Sequence, residues 1–164
     1  MNSTVSDLTA KMARRPPASR DALLKASHEF GVSFPADYVA FMVESNGATG
    51  RVGARGYLDL WSVEYLTECN REESQSPTTL SGLIVFGSDG GGELYALAGQ
   101  PGEEAAIVEV PAVGERSDAV PCGTTLLDLL QYLGGGEPFT SDDLAYGKAA
   151  SDRLVRDLSQ DSEG

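Results

Sequence analysis

The sequence predicts an α+β fold: a mainly antiparallel mixed sheet with helices packed around it. Three observations lead there. Short apolar or alternating segments follow one another through brief turns between Leu83 and Val120, which suits antiparallel hairpins. Segments of helical period lie at both ends of this stretch, so helices must cover a sheet face. With 164 residues and 41% hydrophobic content, the chain can bury one core without a disulfide or a metal.

The elements follow in order. Residues 1–18 read as a flexible N-terminal arm, because Arg14-Arg15-Pro16-Pro17 is basic and cannot continue a helix. Residues 19–136 form the domain. Ser19 caps a first helix carrying Leu23, Leu24, Ala26 and Phe30, and Gly31 ends it as a left-handed cap. Pro35 opens a second helix, at a position where its missing N–H has no partner to lose. Tyr38, Val39, Phe41 and Met42 form the apolar face of that helix, and Asn46-Gly47 is its C-terminal stop. Ala48 to Gly56 reads as a glycine-rich loop.

Tyr57–Trp61 alternates as a strand, with Tyr57 and Trp61 expected to pack, and Ser62 caps a helix from Val63 to about Glu72. Leu83–Phe86 and Leu94–Leu97 form a hairpin, Ala105–Val110 a further strand stopped by Pro111, and Ala119-Val120 a short one. Thr125 and Asp128 resemble a capping box before the apolar helix Leu126–Leu133. Residues 137–164 are a C-terminal extension, partly helical through Leu144, Leu154, Val155 and Leu158, then disordered.

The hairpin turn Gly87-Ser88-Asp89-Gly90-Gly91-Gly92-Glu93 looks like a phosphate cradle, but its chemistry opposes that reading. No Lys and no Ser or Thr follow the last glycine, the glycines are contiguous, and Asp89 and Glu93 would repel a phosphate. The glycines supply positive φ for a tight turn. A carboxylate pair at Asp89 and Glu93 could serve acid–base chemistry or hold a hard cation, yet no calcium-loop pattern accompanies it. His28 is the only histidine and lies mid-helix without a partner motif. Cys69 and Cys122 lack CxxC spacing and read as free thiols. No catalytic residue, metal ligand or cofactor is expected.

The net charge is −13. Residues 1–58 carry seven basic and five acidic side chains, whereas residues 59–122 carry two basic and twelve acidic. Such a field disfavours nucleic acid and anionic membranes as direct partners and suits a basic protein. No apolar run is long enough to span a bilayer, and Met1–Asp7 lacks a signal-peptide core, so a cytoplasmic protein is expected.

Two ordered motifs carry a family resemblance. Phe34-Pro35-Ala36-Asp37-Tyr38-Val39-Ala40-Phe41-Met42 with Ser45-Asn46-Gly47 resembles the LP-x-x-Y-x-x-F-L…N-G signature of SMI1/KNR4-like proteins, the SUKH superfamily. Phe86–Leu97 is similar to that family's G-x-D-G-G-G-x-x-Y-x-x-D landmark, with Ala98 in place of its closing acidic residue, and Leu126–Leu133 to its closing helix. The resemblance implies structural roles for Pro35, Tyr38, Phe41, Asn46, Gly47, Gly87, Gly90, Gly91, Gly92 and Tyr95.

It also implies a non-catalytic immunity protein of bacterial type, neutralising a cognate toxin such as a nuclease. The alternatives are a regulatory scaffold, as in fungal relatives, or a small-molecule-binding domain or enzyme using Asp89 and Glu93. Acidic complementarity to a basic toxin nominates Glu72, Glu73, Asp89, Glu93, Glu103, Glu104, Glu115 and Asp118 as partner contacts.

Overall fold

A computed structural model of the chain describes residues 4–54, 56–99 and 105–134. The elements are α1 (Val5–Leu8), β1 (Ala13–Arg14), α2 (Arg20–Phe30), α3 (Ala36–Met42), β2 (Ala48–Val52), β3 (Gly56–Leu60), α4 (Val63–Gln75), β4 (Ile84–Ser88), β5 (Glu93–Ala98), β6 (Ala106–Pro111), a 3₁₀ turn (Arg116–Asp118), β7 (Val120–Gly123) and α5 (Leu126–Gly134). The strands form one sheet in the order β1 to β7, each antiparallel to the next. The α+β expectation holds, and every pairing among the described strands is antiparallel.

Local chemistry accounts for the helix ends. The Ser19 hydroxyl accepts from the Ala22 N–H at 3.0 Å, and Gly31 closes α2 at φ 63°. Ser62 accepts from the Tyr65 N–H at 3.2 Å to start α4. The Thr125–Asp128 capping box forms in both directions, at 3.0 and 3.2 Å.

Three sequence expectations are corrected. Residues 4–18 are not a loose arm. Leu8, Met12 and Ala18 are buried, and β1 pairs with β2. The backbone N–H of Arg15 donates to the Ser45 hydroxyl, that of Asn46 to the Pro16 carbonyl and that of Ala18 to the Met42 carbonyl. These long-range bonds hold a segment that has no periodicity of its own. Of the stretch expected as a loop, Ala48–Val52 is a strand that pairs residue by residue with Gly56–Leu60. Asn46-Gly47 stands just beyond α3, which ends at Met42, and enters β2 rather than capping the helix.

The sheet has two unlike halves. In β4–β6 both faces are covered. Phe86, Tyr95, Leu97 and Ile107 join the main core beneath the helices. Ala96, Ala98, Val108 and Val110 form a second apolar cluster on the far face, roofed by Leu80 and Leu83. In β2 and β3 only one face is buried: Ala48, Val52, Leu58 and Leu60 point inward, while Thr49, Arg51, Tyr57 and Asp59 point outward. Among the described residues, no helix is long and apolar enough to cross a membrane.

Candidate functional site

The signature residues act mainly on the fold. Pro35 occupies the cap position before α3. Tyr38 is buried edge-on to Phe86, with ring centroids 5.6 Å apart, and Phe41 lies under the Arg14 guanidinium at 4.9 Å. The Asn46 side chain accepts from the Val63 N–H at 2.9 Å and donates to Glu64 at 2.8 Å, so it ties the end of α3 to the start of α4. Gly47 has φ +86°, and a Cβ there would lie 2.4 Å from the Leu60 carbonyl oxygen. A Cβ at Gly87 would meet the Asp59 carbonyl of β3 at 2.9 Å, beside the point where β4 bulges against β5.

The glycine turn is organised by its own carboxylate. Asp89 Oδ1 accepts from the backbone N–H of Gly91 at 2.7 Å and of Glu93 at 3.0 Å. Its charge therefore serves the turn. Glu93 begins β5, half-buried beside Glu109 and Asp89. Burial first, then these two negative neighbours, holds its carboxyl above the ordinary range. Glu109, which the sequence reading passed over, accepts from the hydroxyls of Tyr95 at 3.0 Å and Tyr132 at 3.1 Å. It anchors α5 to the sheet. Asp37, also passed over, accepts from the N–H groups of Leu126 and Leu127 at 2.9 Å each and so caps α5 from across the fold. The sequence offered no cue to either tie, because each spans a large separation.

The nominated acidic residues do not converge on one site. Asp89 and Glu93 lie at the hairpin. Glu115 and Asp118 flank the 3₁₀ turn, where Asp118 accepts from the Glu115 N–H at 2.9 Å. Glu73 on α4 accepts from the N–H and the hydroxyl of Thr78, at 2.8 Å each. Glu103 and Glu104 lie outside the described residues. Glu72 alone of the set lies in a wide groove of about 620 Å³ between α2 and α4, together with Glu68. The Arg71–Glu29 bridge ties the two helices there, with two N–O contacts of 2.6 Å.

Aromatic side chains, expected to pack, mark a more coherent surface. Tyr57 is 44% exposed and Tyr65 50%. Tyr57 and Asp59 share the outer face of β3, and Trp61 follows at its end. Tyr65, one turn into α4, meets Trp61 edge to face with centroids 4.8 Å apart. The Tyr65 hydroxyl is raised above its ordinary value, first by its hydrogen bond with Cys69 and then, among other causes, by the negative charges of Asp59 and Glu68. A continuous row thus runs from Tyr57 to Tyr65 with carboxylates along its α4 side. Arg15, 3.9 Å from Asp59, and Arg51, opposite Tyr57, border the other side.

The profile of the SMI1 / KNR4 family (SUKH-1) matches residues 17–122, well over half of the chain. The chain belongs to this family. The SUKH-1 match begins within the N-terminal segment that packs on β2, and it ends inside β7. It includes both signature motifs and the aromatic row. A search of curated proteins gives no match.

Proposed function

We propose that this SUKH-1 domain is a non-catalytic, immunity-type binding protein that neutralises a cognate toxin. Covering a basic functional surface, such as that of a nuclease, is the mechanism. The observation that carries the reading is the row Tyr57–Asp59–Trp61–Tyr65, exposed at its two tyrosines and half-buried between them, beside the acidic edge of α4. Large aromatic side chains that stay exposed beside charge are the usual anchors of protein interfaces. Their carboxylate border speeds encounter with a basic partner and selects against acidic ones. Family membership supports a protein partner as the occupant.

The α4 carboxylates Glu68 and Glu72 have no ion-pair partner among the described residues. They therefore meet the partner without first giving up an internal bond. Asp89 differs, since its oxygen already holds the hairpin.

The test is co-expression of the full chain with the toxin encoded beside its gene. Restored growth and a stable one-to-one complex are expected. Growth arrest despite soluble expression of both proteins would overturn the neutralisation reading. Recovery of several unrelated partners and no toxin would favour a regulatory scaffold instead.

A further inference from the structure

We propose that Trp61, Tyr65 and Glu68 together form a notch that receives an arginine side chain of the protein partner. This rests on the protein-binding reading above and names the chemistry that this surface recognises.

The rings supply the platform. Trp61 and Tyr65 meet with an interplanar angle of 86°. In such an edge-to-face pair, the ring that presents its edge keeps both of its own faces clear of the other. Half of Tyr65 is open to solvent, and Trp61 is half-buried against the core, which fixes its position. A cation seated over these rings meets their negative faces.

The carboxylates supply the charge. Glu68 lies one turn beyond Tyr65 on α4 and acts electrostatically on its hydroxyl, as does Asp59 from β3. Glu72 follows one turn later and, with Glu68, acts on Cys69. The cations nearest this surface are otherwise engaged or placed elsewhere. Lys25 and Arg71 line the α2–α4 groove that Glu68 and Glu72 also line, but Lys25 lies 3.5 Å from Asp21 and Arg71 is held by Glu29; Arg15 lies against Asp59 and Thr49, and Arg51 stands at the Tyr57 end of the row. Charge complementarity therefore calls for a cation from outside.

Arginine fits better than lysine on geometry. A guanidinium is planar, so it can stack on a ring while its edge pairs with a carboxylate, and a lysine ammonium can do only one well. One such contact at an exposed site is weak. Tight binding needs the adjoining Tyr57–Asp59 surface as well, and that requires a macromolecular partner rather than a free amino acid.

Trp61 is the only tryptophan in the chain, so its fluorescence reports on the notch directly. The experiment titrates the full chain with hexa-arginine and, separately, hexa-lysine at one ionic strength. Hexa-arginine is expected to change Trp61 emission saturably and at about fivefold lower concentration than hexa-lysine. Tyr65→Leu and Glu68→Gln should each weaken the response about fivefold, with far-UV circular dichroism unchanged. Asp7→Asn, in the first turn of α1, should leave it intact. Equal responses to the two peptides, a full response in Glu68→Gln, or no response at all would overturn the notch.

The outcome separates from that of the neutralisation test. A toxin complex that forms equally well with Tyr65→Leu and Glu68→Gln removes the arginine notch and leaves immunity standing. An arginine response in a chain that protects against no toxin does the reverse.

Discussion

The two halves of the sheet obey the same hydrogen-bonding rules and present opposite surfaces. β4–β6 are buried on both faces, beneath the helices on one side and Leu80 and Leu83 on the other. β2 and β3 bury one face and turn Thr49, Arg51, Tyr57 and Asp59 outward. The doubly covered half packs the core, and the singly covered half carries the surface proposed above for partner contact. Burial on both faces commits most β4–β6 side chains to packing, whereas an open face can change its residues at small cost to the fold.

Substitutions on each half test this division. The largest effect is expected from Ile107→Ala, which empties a fully buried site in β6. A loss of about 3 kcal/mol in urea unfolding is expected, and a loss below about 1 kcal/mol would show that this half is loosely packed.

Asn70→Ala should come next. The buried Asn70 amide donates to the Leu66 and Val85 carbonyls and accepts from the Val85 N–H at 3.0 Å. It stands in for the strand that β4 lacks there, since β3 pairs only as far as Leu60 and Gly87. Stranding both groups of Val85 should cost about 2 kcal/mol. Retained stability would mean that water replaces the side chain.

A smaller, pH-dependent effect belongs to Glu93. Its folded-state value is raised, so the fold holds this proton more tightly than the unfolded chain does. Its contribution favours the fold at low pH and is lost as pH rises through the carboxylate range. Glu93→Gln should therefore raise the melting temperature at pH 7, with the gain shrinking below about pH 4. An equal gain at both pH values would assign the effect to packing instead of charge.

The smallest effect on stability should come from Tyr57→Ala, within about 0.5 kcal/mol. The same variant should weaken partner binding by at least about tenfold if Tyr57 is an interface anchor. Unchanged affinity would remove the open face of β3 from the interface.

The covered half was also the more legible. Ile84-Val85-Phe86, Leu94–Leu97 and Ala105–Val110 are nearly continuous apolar runs, as burial on both faces requires. Helix ends were legible wherever a local side chain set them, as at Ser19, Gly31, Ser62 and Thr125. β2 was not, because Ala-Thr-Gly-Arg-Val carries a glycine and only one buried face, so its strand character comes from pairing with β3.

α1 and β1 were illegible for a related reason: their order comes from contacts with Met42, Ser45, Asn46 and β2, far along the chain. The site was the least legible part. Sequence counts carboxylates but does not show that Asp89 serves its own turn, nor that Tyr57 and Tyr65 stay exposed while most other aromatic side chains turn inward.

The Asn46 bond to the Val63 N–H fixes where α4 leaves the sheet, whatever residues follow on its outer surface. Tyr65, Glu68 and Glu72 can then be exchanged while the helix keeps its launch point. With the α4 face as the proposed contact, a lineage could retarget this protein by rewriting one helix face, and an engineer could graft a new specificity at the same three positions.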